Sequence, residues 1–395
     1  MHLNRIHHEL IKGLALGMRI GQFTDSFLPI VDGVGRVVLN YALTLSDKGH
    51  ECYVIAPMSK VGYLGNTPYE LLEFLSVEVP TQKQYYTGIP PLDAHYRERI
   101  QRISLDIVHA HSPFIAGREA IFIARKKKIP MVGTFHSRYY DDFYKLTKMD
   151  VAANLGVKYI VDFYSRCDEV WAVSDSSAQA LHEYGFKRDI VIMPNGISPT
   201  SPDERDRERA IQTFHLPQNN VLLYCGQLNW KKNILRILQA CALLKKDGRT
   251  FTLVLAGQGP DKQSIIDRAE DLDLLENILF TGHITDERLL NGLYQAAALF
   301  VFPSMYDTSG LVVKEAAAMG TPSVVVENSG AAEQIVDGQT GFICQDNDQS
   351  LLSTIEFALD HPNNTKSIGS NAKKALCVSW DCILDSVIER YEHLR

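Results

Sequence analysis

Pro303-Ser304-Met305-Tyr306-Asp307-Thr308-Ser309-Gly310-Leu311-Val312-Val313-Lys314-Glu315-Ala316-Ala317-Ala318-Met319-Gly320 joins two structural patterns. The run before it, Ala297 to Phe302, is short and rich in large apolar side chains, which reads as a buried strand. Small and polar residues follow, then a helical pattern from about Ser309 to Met319. A strand, a Ser/Gly loop and a helix N-terminus in that order leave N–H groups pointing outward, with a dipole that favours an anion. Asp307 lies in the loop and Glu315 well inside the helix, so the two acids can touch different parts of one ligand. The plainer alternative makes Asp307 or Ser309 an N-cap and Glu315 a surface acid.

The same strand–loop–helix grammar extends on both sides of this stretch. Upstream, Asn220 to Leu228 reads as a strand, Asn229-Trp230-Lys231-Lys232-Asn233 as a loop, and Ile234 to Lys245 as a helix. Lys232, between strand and helix, is placed to contact phosphate or to be a solvated lysine. Phe251 to Ala256 with Gly257 and Gly259, and Asn277 to His283, read as further strands and turns. Pro322 to Val326 follows the central stretch, and Trp380 to His393 closes the chain as a helix.

The first half repeats the theme. Met18 to Asp25 is a strand, Gly33 and Gly35 lie in a glycine turn, and Val37 to Leu45 is a helix before a second strand, Cys52 to Pro57. The glycines remove side chains where a ligand could approach the backbone. Their spacing is not GxGxxG and no acid ends the second strand, which disfavours a redox Rossmann enzyme. Asp106 to Ser112 and Ile129 to Ser137 are strands whose carboxyl ends carry His109, His111 and His136, where open α/β sheets place ligands. Each histidine also has a purely structural reading. The region Ser198 to Arg209, with Pro199, Pro202 and many charges, reads as a linker.

Totals exclude several classes. The 395 residues suit two domains, and a formal charge of -7 gives no case for nucleic-acid binding. The 7 cysteines form no CxxC or Cys/His cluster, so they read as reduced buried thiols, with no metal expected. No P-loop occurs. Residues 1–17 make a poor signal peptide and read as a short amphipathic helix or a leader. Arg125-Lys126-Lys127-Lys128 suits a helix C-terminus, and together with Arg118, Arg138, Lys145 and Lys148 it could form a patch for an anionic membrane.

In its motifs and their order, the chain from Met18 onward resembles the retaining glycosyltransferases of family 4. That resemblance implies an α/β GT-B fold, two Rossmann-like parallel-sheet domains facing a central cleft. The family's paired glutamates, with seven residues between them, match Asp307 and Glu315. Thr308, Ser309, Gly310 and Leu311 match the diphosphate-cradling backbone, Gly33 and Gly35 the glycine turn, His136 a histidine beside the sugar, and Lys232 the phosphate-binding lysine. Gly257, Gly259, Gly330 and Glu333 match as well.

Carried over, Glu315 binds the ribose, Asp307 the sugar hydroxyls and Lys232 the diphosphate, while His136 positions the sugar or its leaving oxygen. His109, His136, Arg138 and Tyr139 are the expected acceptor-side residues. The expected organisation is a leader at 1–17, an acceptor domain at 18–198, a nucleotide-sugar domain at 199–376, and a segment at 377–395 returning toward the first domain. Two positions depart from the pattern. Gln227 stands where the family has an arginine, which removes a bidentate charged contact to phosphate. Asp307 is one methylene shorter than glutamate.

The run Thr134 to Tyr140 looks like that of members glycosylating membrane diacylglycerol. The resemblance therefore implies UDP-glucose as co-substrate without a cofactor, a lipid acceptor, and a cytoplasmic enzyme peripheral to the cytosolic membrane face. A soluble sugar, sugar-phosphate or protein acceptor is the alternative, as is a non-catalytic binding subunit.

Overall fold

The computed structural model describes residues 17–28, 32–59, 65–79, 82–198, 200–308 and 310–395. The leader up to residue 16 and Ser309 lie outside these. The described residues form two compact units. One runs to Val173 and adds Ser177–Met193 and Trp380–Arg395; the other holds Ser174–Ser176 and Pro194–Ser379.

The first unit is built on a parallel sheet of seven strands: β1 (Arg19–Phe23), β2 (Glu51–Pro57), β3 (Glu70–Phe74), β6 (Ile107–Ala110), β7 (Met131–Phe135), β8 (Glu169–Ala172) and β9 (Val191–Ile192). Their order is β3-β2-β1-β6-β7-β8-β9. A separate antiparallel ribbon pairs β4 (Ser76–Val79) with β5 (Gln82–Gly88). Buried parallel strands need apolar side chains on both faces, and β6 and β7 are buried along their whole length. The sequence pattern there is continuous rather than alternating for that reason.

The second unit has a six-stranded parallel sheet: β10 (Val221–Cys225), β11 (Thr252–Ala256), β12 (Ile278–Gly282), β13 (Leu299–Phe302), β14 (Ser323–Val326) and β15 (Phe342–Cys344). They run in the order β12-β11-β10-β13-β14-β15. In each sheet the order reverses beside the first strand, between β1 and β6 and between β10 and β13. Open sheets form their ligand crevices at such switch points, beyond the carboxyl ends of the strands.

Three expectations are corrected. Gly33 and Gly35 are not a turn ahead of the helix but its first turn, since the helix spans Gly33–Asp47 behind an Asp32 N-cap. Asp32 Oδ1 accepts the Gly35 N–H at 2.7 Å, so capping starts the helix earlier than the apolar spacing suggests. The charged stretch read as linker holds a helix, Glu204–Phe214, which packs on Glu287–Ala296. Ala210 is buried there, Arg288 pairs with Asp206 at 2.8 Å, and a side chain on Gly292 would strike the Asp206 carbonyl. The cysteines are all free thiols, but Cys382 is exposed and Cys225 and Cys377 only half-buried.

Trp380–Leu394 is a helix of the first unit. Its Tyr391 stacks on Trp171, and Lys48 reaches Asp381 and Asp385, each at 2.8 Å. The chain passes between the units at Val173/Ser174, Ser176/Ser177, Met193/Pro194 and Ser379/Trp380.

Candidate active site

In the second unit the loops after β10 and β13 meet across the switch point. The Lys232 Nζ donates to both carboxylate oxygens of Asp307 at 2.8 Å. Lys232 ends a short 3-10 turn, Trp230–Lys232, whose Asn229 cap accepts the Lys231 N–H. Both partners are about three-quarters buried, so the pair is less screened than a surface bridge. The two residues assigned to phosphate and sugar thus already hold each other, leaving a lysine with further N–H donors and a carboxylate with further lone pairs.

The next helix, Leu311–Ala318, starts at Gly310 with φ 53°, a left-handed conformation that suits glycine. The cap is Gly310 rather than Asp307, and it has no side chain to offer the first-turn N–H groups. A side chain on Gly330 would sit 2.4 Å from the Asp307 carbonyl, so Gly330 lets that loop close. Gly257 and Gly259 play the same part under the β10 loop, against Gly226 and Leu228. Glu333 accepts the N–H groups of Asp175 and Ser176. Gln227 is exposed, and its carbonyl accepts the buried Tyr224 hydroxyl at 2.9 Å.

Glu315 lies in the body of that helix and accepts from the Tyr294 hydroxyl at 3.1 Å. Tyr294 is fully buried, so its ring fixes where the carboxylate points. The neighbouring Lys314 is a buried cation that donates to the Asn195 carbonyl at 2.7 Å. Burial pushes its ammonium down to about 8.

The first unit gathers neutral groups instead. Gln22 on β1, His109 on β6, His111 just after it and His136 just after β7 are all buried. His111 Nδ1 is 3.1 Å from His136 Nε2, and His111 Nε2 is 2.6 Å from Gln22 Oε1. Burial pushes all three imidazoles down, His136 to about 3, so they are neutral at physiological pH. The half-buried Asp25 carboxyl, pushed up by desolvation, receives the Ser112 hydroxyl and the Ala116 N–H at the start of helix Ile115–Lys127. At Gly33 an added Cβ would meet no atom within 4 Å, so packing does not demand glycine there.

Two similarities decide what these loops belong to. The family description "Glycosyltransferase Family 4" matches residues 31–201, and "Glycosyl transferases group 1" matches residues 206–375. The chain belongs to the family 4 glycosyltransferases of GT-B fold. It is a nucleotide-sugar-dependent hexosyltransferase.

This glycosyltransferase is 28% identical to an alpha-monoglucosyldiacylglycerol synthase of Streptococcus pneumoniae, over 79% of this chain and 71% of the relative. It is 25% identical to a GDP-mannose-dependent alpha-mannosyltransferase of Corynebacterium glutamicum, covering 95% and 88%. Anabaena HepE in complex with UDP and glucose shares the fold, with a TM-score of 0.77 at 18% identity over 95% of this chain and 99% of that one.

The structure reassigns part of the expected acceptor side of the glycosyltransferase. His109 has both ring nitrogens taken by buried hydroxyls, Tyr391 at 2.5 Å and Thr134 at 2.7 Å, so it is an internal strut rather than an acceptor ligand. Tyr139 is buried edge-on against Phe114 and Phe135 and is core, while Arg138 beside it is half-buried. The basic patch does not form as grouped. Arg118 lies in the first turn of helix Ile115–Lys127 and pairs with Asp162, whereas Arg125, Lys126 and Lys127 end it, about 10 to 14 Å along the axis at helical rise.

Sequence reasoning missed Gln22, Asp25, Tyr294, Lys314 and Tyr391. Each is a polar side chain at a position whose neighbours read as buried. That local contradiction was the available signal.

Proposed function

We propose that the enzyme transfers glucose from UDP-glucose, with retention of configuration, to a diacylglycerol-type lipid. Lys232 and the N–H groups at Gly310 and Leu311 receive the diphosphate as charge builds on it, the condition under which oriented donors lower a barrier most. Glu315, held by Tyr294, takes the ribose hydroxyls. Asp307 takes sugar hydroxyls while keeping Lys232 in place. His136 accepts a hydroxyl of the sugar, and no metal takes part. An α-configured donor that yields an α-glucoside, as the name of the pneumococcal relative states for its product, has retained its configuration.

The observation that carries the lipid acceptor is an exposed apolar stripe. Helices Tyr139–Thr147 and Asp150–Tyr164 form a hairpin. Met149, Val151 and Leu155 along it are 59%, 69% and 60% exposed, with Tyr144 and Tyr159 partly so. Val151, Leu155 and Tyr159 are spaced four apart, so they line one helix face. Lys145, Lys148 and Lys158 are exposed around them, and Arg118 stacks on Tyr159 at 4.2 Å. Apolar side chains ringed by lysines suit an interface of anionic lipid. This replaces the basic run at Arg125 as the membrane contact.

The test is co-sedimentation with vesicles of neutral or anionic lipid. Anionic vesicles are expected to bind the enzyme, and Val151→Glu with Leu155→Glu to reduce binding at least tenfold. Binding that ignores lipid charge, salt and both substitutions rejects the lipid acceptor and favours a soluble one.

A further inference from the structure

One asparagine braces the two loops that meet at Lys232 and Asp307. Asn233 follows Lys232 directly, where the 3-10 turn Trp230–Lys232 gives way to helix Ile234–Lys246. Its backbone is left-handed, with φ 59°, a conformation that asparagine tolerates better than most residues. An asparagine at a helix start ordinarily turns its side-chain oxygen onto a first-turn N–H. This one makes no such cap. Its amide nitrogen is used instead: Asn233 Nδ2 donates to the Pro303 carbonyl at 3.2 Å and to Asp346 Oδ1 at 3.0 Å. A carbonyl and a carboxylate only accept, so both contacts require the nitrogen end of the amide, one hydrogen to each.

The two acceptors belong to different loops of the second unit. Pro303 is buried directly beyond β13, at the root of the loop that carries Asp307. Asp346 lies just beyond β15 and is itself held, with Arg236 Nε 2.9 Å from the same Oδ1. Arg236 also donates to Asp348 at 2.6 Å. The β10 loop is thereby fastened to the ends of β13 and β15 one residue after Lys232. A lysine is a point charge on a flexible four-carbon stem, so where its backbone is held decides where the ammonium rests.

We infer that Asn233 is a positioning residue of the donor site: by tying the β10 loop to the end of β13, it fixes where Lys232 presents its ammonium beside Asp307. The inference rests on the reading that Lys232 meets the diphosphate of the donor. Asn233 acts through Lys232 and not on the substrate.

UDP carries the full charge of the leaving diphosphate, so its affinity reads Lys232 without any acceptor. Calorimetric titration of the full-length enzyme with UDP is expected to show Lys232→Ala about thirtyfold weaker than wild type, the scale of a lost charged hydrogen bond. Glycine keeps the left-handed backbone and removes the amide, so Asn233→Gly isolates the brace and is expected to weaken UDP about fivefold. In the Lys232→Ala background the same Asn233→Gly change is expected to cost less than about twofold more, because the group it positions is gone. Uridine, which has no phosphate, is expected to bind all three variants as it binds wild type, as followed by NMR titration. A residue serving only the fold would weaken uridine as well, and would weaken UDP by one factor in both backgrounds. Asp346→Ala, at an exposed position, removes one acceptor of the brace and is expected to give a loss of about twofold to threefold that also vanishes with Lys232→Ala. It carries the test if Asn233→Gly does not fold. UDP affinity unmoved by Asn233→Gly, or equal losses in the two backgrounds, overturns the inference. If wild type binds no UDP, or Lys232→Ala binds it as wild type does, the diphosphate contact itself fails, and the role of Asn233 falls with it.

Discussion

The two units share a parallel sheet with a switch point beside its first strand, yet they fill the carboxyl end of that sheet with opposite chemistry. The second unit holds charge there: Lys232 on Asp307, Glu315 on Tyr294 and buried Lys314 beside it. The first holds a neutral hydrogen-bonded chain through three histidines and an amide. On the proposed function, the difference follows from what each unit meets. A diphosphate is recognised by cations and oriented N–H groups, whereas hydroxyls are recognised by acceptors of fixed orientation. The same fold thus supplies an electrostatic site and a directional one.

The comparison breaks first, and by the largest margin, at Lys232. Lys232→Ala is expected to lower kcat about 10²–10³-fold, the scale of removing one donor from developing negative charge. Steady-state kinetics with UDP-glucose check it, and a loss below tenfold would place the charge stabilisation elsewhere. Asp307→Asn should fall next, because it removes the anion that holds Lys232 while keeping the side chain's size.

Acid sharpens the contrast. Histidine's ordinary value is 6.5, and burial holds His109, His111 and His136 below it in the folded state. Below pH 6.5 the unfolded chain binds protons that the folded first unit refuses. Stability is then lost as pH falls, with a slope approaching ~1.4 kcal/mol per pH unit for each histidine. Urea unfolding followed by pulsed hydrogen exchange at one fixed pulse pH should show β6 and β7 peptides losing protection earlier at pH 5 than at pH 7, ahead of β10 and β13. Equal shifts in both sheets would contradict this.

Glu315→Ala should raise donor KM about tenfold with a smaller change in kcat, and Tyr294→Phe should do the same more weakly, because only the orientation of Glu315 is loosened. Calorimetric titration with UDP measures both. Unchanged UDP affinity in Glu315→Ala would remove it from the ribose. The smallest effect is at Lys314. Its ammonium is held at about 8 in the folded state against an ordinary 10.5, so it weakens folding below pH 8, and that cost is relieved as pH rises toward 10.5. The stability difference between wild type and Lys314→Met should shift in favour of wild type over that window.

The sequence made the fold legible because buried parallel strands write themselves as apolar runs that end at Gly, Ser, His or Lys. Leu299–Phe302 and Val221–Cys225 are examples. The charged groups of the second unit stand out in the sequence for the same reason: Lys232, Asp307 and Glu315 interrupt that background in loops and a helix start. The neutral chain of the first unit does not. Gln22 sits inside β1 and Tyr391 in the last helix, 369 residues away, and only folding brings the two side chains into hydrogen-bond contact. His109 and Tyr139 looked like ligands because strand ends and tyrosines near a crevice often are, but packing closes over both. The Glu204–Phe214 helix was hidden by its charges, one of which, Asp206, is buried beside Ala210 and paired with Arg288.

The account's central claim is a retained glucosyl transfer to lipid, and the product tests it most directly. UDP-[¹³C₆]glucose and the enzyme would be incubated with anionic vesicles containing diacylglycerol, and the extracted lipid read by mass spectrometry and by the anomeric ¹H–¹³C coupling. The account predicts a monoglucosyl lipid in the α configuration. A β-glucoside, or transfer only to a soluble acceptor with the lipid untouched, would contradict it.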